Sequence, residues 1–338
     1  MSNEATIKDI ARELNISPST VSRALKDHPD INSETKKAVL RVAQKLDYQP
    51  NSIALSLRKS KTNIIGVIIP ELVHYFFSTV ISGIEDVANE AGYHVMICQS
   101  NESYDKEVAN TQALLSTRVD GLLMSISSET ENFDHLRSLQ RRNVPIVFFD
   151  RASAEIEASK IEVDDYDGAF RATQHLIETG CKRILHLAGP EHLSVSVNRA
   201  HGYKAALKAN NIEYDPTLMV TTGFKQQDGT DIMTKLLDEG LKFDGIFAVA
   251  DPVAIGAMLV LKKRNIKIPD DVSVIGFSDE PMTSLIEPAL STMSQPGYEM
   301  GVRAARLFLE QVKDKDNFVP KKEILKTQLI IRESSRKK

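Results

Sequence analysis

Four hydrogen-bonding side chains, Ser19, Thr20, Ser22 and Arg23, fall within five residues near the start of the chain. Their types suit the reading of base edges. An arginine can fork onto guanine O6 and N7, a contact worth roughly 1–3 kcal/mol of discrimination, and hydroxyls serve bases or phosphates. Arg23 also suits a phosphate clamp, and Ser17 and Ser22 suit phosphate contact or capping. The same pattern also fits an ordinary helical hairpin with a solvated face. Catalytic chemistry finds no comparable cluster. There is no Gly-x-x-x-x-Gly-Lys-Ser/Thr phosphate loop, no His-Glu-x-x-His, no Gly-x-Ser-x-Gly elbow and no Gly-x-Gly-x-x-Gly fingerprint. His74, His94 and His186 lack metal-ligand spacing. Cys98 and Cys181 lie far apart and are expected to be reduced thiols. No enzyme activity, metal or cofactor is expected.

The elements that must hold the four side chains follow from periodicity. Ile7, Ile10, Ala11 and Leu14 recur on one helical face, with Thr6 as a cap and Asp9 three residues on. After a break at Asn15 and Ile16, Ser17 is a second N-cap and Pro18 takes the first helical position, where its missing N–H costs nothing. Val21, Ala24 and Leu25 turn inward, so residues 19, 20, 22 and 23 turn out. The spacing is that of a helix-turn-helix with the second helix as reader. Ser33 can cap a third helix, whose Val39, Val42, Ala43 and Leu46 close a small core. Residues 51–58 allow one or two further turns, too short to be stable alone.

The chain has 338 residues and a net charge of −4, which looks wrong for a nucleic-acid binder until it is divided. Residues 1–61 hold eleven Lys or Arg against seven Asp or Glu, an excess of four positive charges; the remainder is therefore eight negative. A basic head on an acidic body fits a protein that meets phosphate at one end, and four charges are few enough that pairing two heads would help. No apolar run of about 18 residues exists and the first residues lack an apolar signal core, so a cytoplasmic protein without membrane contact is expected.

From residue 63 the pattern changes to short β-branched runs alternating with helical ones. Strands are predicted at 63–70, 94–98, 121–124 and 146–149. The rhythm then restarts, with strands at 184–187, 219–221, 245–249 and 272–276, a helix at 199–210 in the second series, and a closing helix at 298–313 and strand at 324–331. This predicts an α/β body of doubly wound parallel sheets in two lobes.

In order and spacing, Thr6-Ile7-Lys8-Asp9-Ile10-Ala11, Ser19-Thr20-Val21-Ser22-Arg23-Ala24-Leu25, Tyr48-Gln49-Pro50-Asn51, Ala54, Leu57 and Lys61-Thr62 resemble the headpiece and hinge of the lactose-repressor (LacI) family of bacterial transcription regulators. The resemblance runs through essentially the whole chain. It implies a helix-turn-helix headpiece at 1–50, a hinge at 51–62 and a periplasmic-binding-protein-like body at 63–338. The first lobe would span about 63–164 and 297–325, and the second about 165–296 and 326–338.

The resemblance implies DNA contacts from Thr6, Ser17, Ser19, Thr20, Ser22 and Arg23. In the hinge it adds Asn51, Ala54 and Arg58, with Leu57 wedging into the minor groove. Pro18 stands where relatives often carry a reading side chain. Effector contacts are implied at Tyr75, Phe76, Asp150, Arg199, Phe224, Asp251, Ser278, Asp279 and Gln295. Asp251 also suits the N-cap of the helix after it. Ala250 and Ser278 depart from the Asn and Asp of many relatives. The implied function is a sequence-specific repressor whose affinity for a double-stranded operator is set by a small ligand, a sugar or sugar derivative, between the lobes. A catabolite-control type using a phosphoprotein corepressor is the alternative, because residues 69–86 look rather like that subgroup. With seven residues after Ile331 there is no room for a tetramerising coiled coil, so a homodimer is expected.

Overall fold

The structure, a computed structural model, describes residues 5–48, 61–315 and 317–335. The expected contacts at Asn51, Ala54, Leu57 and Arg58 lie outside the described residues. The chain divides into two compact units, residues 1–62 and 63–338.

Among its described residues the first unit has three helices, α1 (Ile7–Glu13), α2 (Pro18–Ala24) and α3 (Ser33–Lys45). Ile10, Val21 and Val39 are fully buried, with Ala11, Ala24 and Ala43 beside them. The small alanines let three short helices approach around one residue each. Asn15 takes a left-handed φ of 51° at the turn between α1 and α2, a conformation asparagine tolerates better than most residues. Asp9 reaches back to accept the Thr6 N–H at 2.9 Å and the Thr6 hydroxyl at 2.6 Å. One expectation is corrected. Asn32, not Ser33, caps α3, accepting the Thr35 N–H at 2.7 Å. Its amide oxygen lies one residue before the first helical φ, where a cap must sit.

The second unit is built on two six-stranded sheets. The first contains β1 (Ile64–Ile69), β2 (His94–Gln99), β3 (Gly121–Met124), β4 (Ile146–Phe149), β5 (Ser159–Val163) and β11 (Lys322–Leu325). Its order is β11-β5-β4-β3-β1-β2, all parallel. The second contains β6 (Ile184–Ala188), β7 (Met219–Thr221), β8 (Gly245–Ala248), β9 (Ser273–Ser278), β10 (Ser291–Ser294) and β12 (Gln328–Ile330). Its order is β12-β10-β9-β8-β6-β7, parallel except for β12. The chain passes between the sheets three times, after β5, after β10 and after β11.

Helices cover both faces of each sheet, which is why β1 reads as a continuous apolar run. In the first lobe α4 (Tyr75–Glu90) and the late helix α11 (Gly297–Lys313) pack as a pair over one face, burying Phe77, Val80, Ile84, Met300, Ala304 and Phe308. In the second lobe α7 (Asp165–Glu178) and α8 (Ser194–Ala209) form one pair, and α9 (Gln226–Asp238) and α10 (Asp251–Lys263) another. The remaining helices of the first lobe are α5 (Tyr104–Ser116) and α6 (Asp134–Arg141). Neither Cys98 nor Cys181 is in a disulfide.

The sequence pattern missed β5 and β10. β5, paired on both sides by β11 and β4, alternates buried and half-buried positions and so lacks an unbroken apolar run. β10 is nearly all hydroxyls, yet Ser291, Thr292 and Met293 are fully buried. The Ser291 hydroxyl donates to the Arg332 carbonyl at 3.1 Å, and that of Thr292 to Asp251 at 2.6 Å. Apolar periodicity cannot see a strand whose burial rests on satisfied hydroxyls. The single strand expected at 324–331 is two strands, β11 and β12, one in each sheet. The helix expected to begin at Arg199 begins at Ser194.

Candidate DNA-reading helix and effector cleft

On α2 the cap and the reader are tied together. Ser17 accepts the Thr20 N–H at 3.1 Å, and its hydroxyl lies 2.7 Å from that of Ser19 and 2.8 Å from that of Thr20. Ser17 therefore orients its two neighbours, and Pro18 presets the first turn. Ser19 and Arg23 are exposed one turn apart, while Thr20 and Ser22 are half-buried. Thr6 gives both its donors to Asp9. The Asp9 carboxyl is held below its ordinary range by these hydrogen bonds. The arrangement offers a fork and a short row of hydroxyls on one rod, the geometry a major groove admits.

In the second unit, a narrow cleft lies where strands of both sheets end, the usual ligand position in doubly wound sheets. From the first lobe come His74, Phe76 and Phe77 beyond β1, and Asp150 and Arg151 beyond β4. The second lobe contributes Val195, Arg199, Phe224, Ala250, Pro252, Ser278, Glu280 and Gln295. Asp150 adopts a left-handed φ of 60° immediately after its strand. Its carboxylate accepts the Ser125 hydroxyl at 3.3 Å and lies 3.8 Å from Arg151 Nε. Burial pushes the Asp150 carboxyl up, against the two nearby arginines.

Six of the nine expected effector residues line the cleft: Phe76, Asp150, Arg199, Phe224, Ser278 and Gln295. Three do not. Asp251 is fully buried as the first residue of α10. It accepts the Thr292 hydroxyl at 2.6 Å and the Glu280 N–H at 2.9 Å, which ties the loop after β9 to the helix. It is not the N-cap either; Ala250 holds that place. Burial pushes the Asp251 carboxyl up to about 7. Asp279 turns to Arg332, 2.8 Å away. The Tyr75 side chain is half exposed. Its N–H, at the start of α4, is accepted by Glu280 of the other lobe at 3.2 Å. Seven lining residues were not expected: His74, Phe77, Arg151, Val195, Ala250, Pro252 and Glu280. Arg151 follows Asp150 directly, so a charged pair after a β-run was the signal available for it.

Comparison with known proteins decides the family. Residues 6–51 match the model described as "Bacterial regulatory proteins, lacI family". Residues 62–333 match "Periplasmic binding proteins and sugar binding domain of LacI family". The chain belongs to the LacI family. It is 33% identical to the ribose operon repressor of Halalkalibacterium halodurans, over 98% of this chain and 97% of that one. It is 32% identical to catabolite control protein A of Priestia megaterium, over 89% and 91%. A solved structure of the transcriptional regulator CelR in complex with cellobiose superposes with a TM-score of 0.75 at 28% identity, covering 98% and 99%.

This LacI-family protein is thus a DNA-binding transcriptional regulator with a sugar-binding type of body, and its relatives are regulators, not enzymes. Among the described residues no helix is long and apolar enough to cross a membrane. A sugar-operon repressor and a catabolite control protein match at nearly equal identity, so the choice between a small effector and a phosphoprotein rests on the cleft.

Proposed function

We propose that this LacI-family regulator acts in the cytoplasm as a homodimeric repressor. Two α2 helices read the halves of a near-palindromic operator, with Arg23, Ser19 and Thr20 as base readers and Ser17, Ser22 and Thr6 near phosphate. A small hydroxyl-bearing effector, a sugar, occupies the cleft and changes operator affinity through the relation between the lobes. The coupling is the difference in effector affinity between DNA-bound and free protein.

The observation that carries the reading is Gln295. Ser278 donates to its Oε1 at 2.9 Å, while its Nε2 is buried against the cleft with no acceptor among the described residues. A buried amide donor without a partner costs about 1–3 kcal/mol, which a ligand oxygen relieves. Phe76 and Phe224, from opposite lobes, add aromatic surface suited to the faces of a sugar ring. A phosphoprotein would dock outside such a cleft and would leave Gln295 Nε2 unpartnered.

The test is a titration of operator-bound protein with ribose, cellobiose and other uncharged sugars, the operator first being selected from a random duplex pool. A sugar that shifts operator affinity in the wild type should act at least about tenfold more weakly on Arg199→Ala. An unchanged sugar response in that variant would remove the cleft from the account.

A further inference from the structure

Both arginines of the cleft are committed to carboxylates. Arg151 gives one terminal nitrogen to both oxygens of Glu102, at 2.8 and 2.9 Å, while its guanidinium lies 4.2 Å from the centre of the Phe224 ring. Glu102 is fixed from behind by the Ser128 N–H at 2.7 Å. Arg199 gives Nε and a second nitrogen to Asp165, both at 2.8 Å, and its third to the Val249 carbonyl at 2.6 Å. Its guanidinium lies 3.7 Å from the centre of the Phe277 ring. All four side chains are nearly buried, the Arg199 pair at 5% and 3% exposure. Lys225, the residue after the lining residue Phe224, is on Glu71 at 3.0 Å. His74 lies between Glu71 at 3.3 Å and Glu280 at 3.9 Å.

Three permanent cations therefore face five carboxylates: Glu102, Asp165, Glu71, Asp150 and Glu280. The last two line the cleft; Asp150 shares Arg151, 3.8 Å away, with Glu102, and Glu280 has His74 at 3.9 Å. A phosphate or carboxylate entering here meets surplus negative charge, and the charge of each arginine is already matched by a nearly buried carboxylate. A hydroxyl asks less. It accepts one spare N–H from a guanidinium, which has five, and donates to Asp150 or Glu280.

Resting on the reading of this cleft as the effector site, we propose that Glu102 and Asp165 are specificity-determining residues. By holding Arg151 and Arg199 they make the cleft refuse anionic effectors, phosphorylated sugars included, and admit uncharged polyhydroxylated ones. Neither residue need touch the ligand; each acts through the arginine it holds.

The experiment measures binding of inorganic phosphate and ribose 5-phosphate to the full-length protein, by calorimetry and thermal shift, at mildly alkaline pH. The expected result is no binding by the wild type at millimolar ligand. Glu102→Gln and Asp165→Asn, each of which frees an arginine but preserves side-chain shape, should gain affinity for ribose 5-phosphate by at least about tenfold. Binding of ribose 5-phosphate to the wild type overturns the proposal. So does the absence of gain in both variants when both are folded by circular dichroism. If one variant does not fold, the other decides, since the two arginines stand in different lobes; if neither folds, the wild type's response to ribose 5-phosphate decides. The gain in anion affinity is read without operator or inducer, so its failure is distinct from an unchanged sugar response in Arg199→Ala.

Discussion

Both lobes lay six strands in the same order, but they close differently and bury different things. In the first, β11 joins parallel to β5, from the pair Lys322 and Lys160 to the pair Leu325 and Val163. In the second, β12 returns antiparallel to β10. Each lobe also locks a helix pair through reciprocal glycines. In α4 and α11, a Cβ at Gly83 would lie 2.2 Å from the Tyr298 carbonyl oxygen, and one at Gly301 2.0 Å from that of Val80. In α9 and α10, Gly229 and Gly256 stand 2.2 and 2.1 Å from the carbonyls of Val253 and Gln226 by the same measure. The lobes part in their buried charge. The second lobe holds Asp165, His186 and Asp251 at 3% exposure or less, and all three are shifted by burial. A shared topology thus fixes backbone packing, while the buried titratable groups differ: the first lobe buries Glu107 against His135 at 2.9 Å, and the second Asp165, His186 and Asp251.

The largest effect that can break this comparison is a pair of opposite pH slopes in the second lobe. Burial holds His186, stacked 4.6 Å from Phe247, down to about 4. Its folded form excludes the proton that the unfolded chain takes up, so its contribution is present above about pH 6.5 and is lost as pH falls toward 4. Asp251 is raised to about 7, so its contribution is present near pH 4 and is lost as pH rises through 7. Each term is of order 3 kcal/mol across its window. In denaturant titrations from pH 4 to 7, His186→Phe should lose stability with rising pH relative to the wild type, and Asp251→Asn should gain. Parallel curves for all three proteins would show that the buried charge is not linked to folding.

Next in size are the glycine locks. Alanine adds about 1 kcal/mol of helix propensity, but a Cβ near 2.0 Å from a carbonyl oxygen forces the helices apart, and overpacking of this kind costs about 3 kcal/mol. Gly301→Ala and Gly256→Ala should each lower stability by about 2 kcal/mol net, read as a shifted urea midpoint. A loss in one lobe alone would mean that the reciprocal contact is structural only there.

The smallest effect lies in the headpiece, whose short helices depend on caps. Asn32→Ala should cost about 1 kcal/mol of headpiece stability, whereas Ser33→Ala should be nearly silent. Thermal melts of the two variants, followed by helical circular dichroism, rank them; the reverse order would restore Ser33 as the cap.

The reading helix was legible in the sequence because everything that places Ser19, Thr20 and Arg23 lies within one turn of them: the Ser17 cap, Pro18, and the inward face of Val21 and Ala24. The alternation of strands and helices was legible for the same reason, since burial on both faces writes unbroken apolar runs such as residues 64–69. Six cleft residues followed from the family resemblance. Their company did not. Glu102 and Arg151 are 49 positions apart, and Asp165 and Arg199 34 apart.

Short-range pattern therefore determined most of the elements, β5 and β10 excepted, and the reading face, because caps and periodicity are local interactions. Only the tertiary structure decided that Asp251 serves the interior, that residues 324–331 divide between two sheets, and that the cleft arginines arrive already paired. Each of these depends on which groups meet across the fold and which charges are taken from water together, and a carboxylate's partner at such distances leaves no trace in its neighbours along the chain.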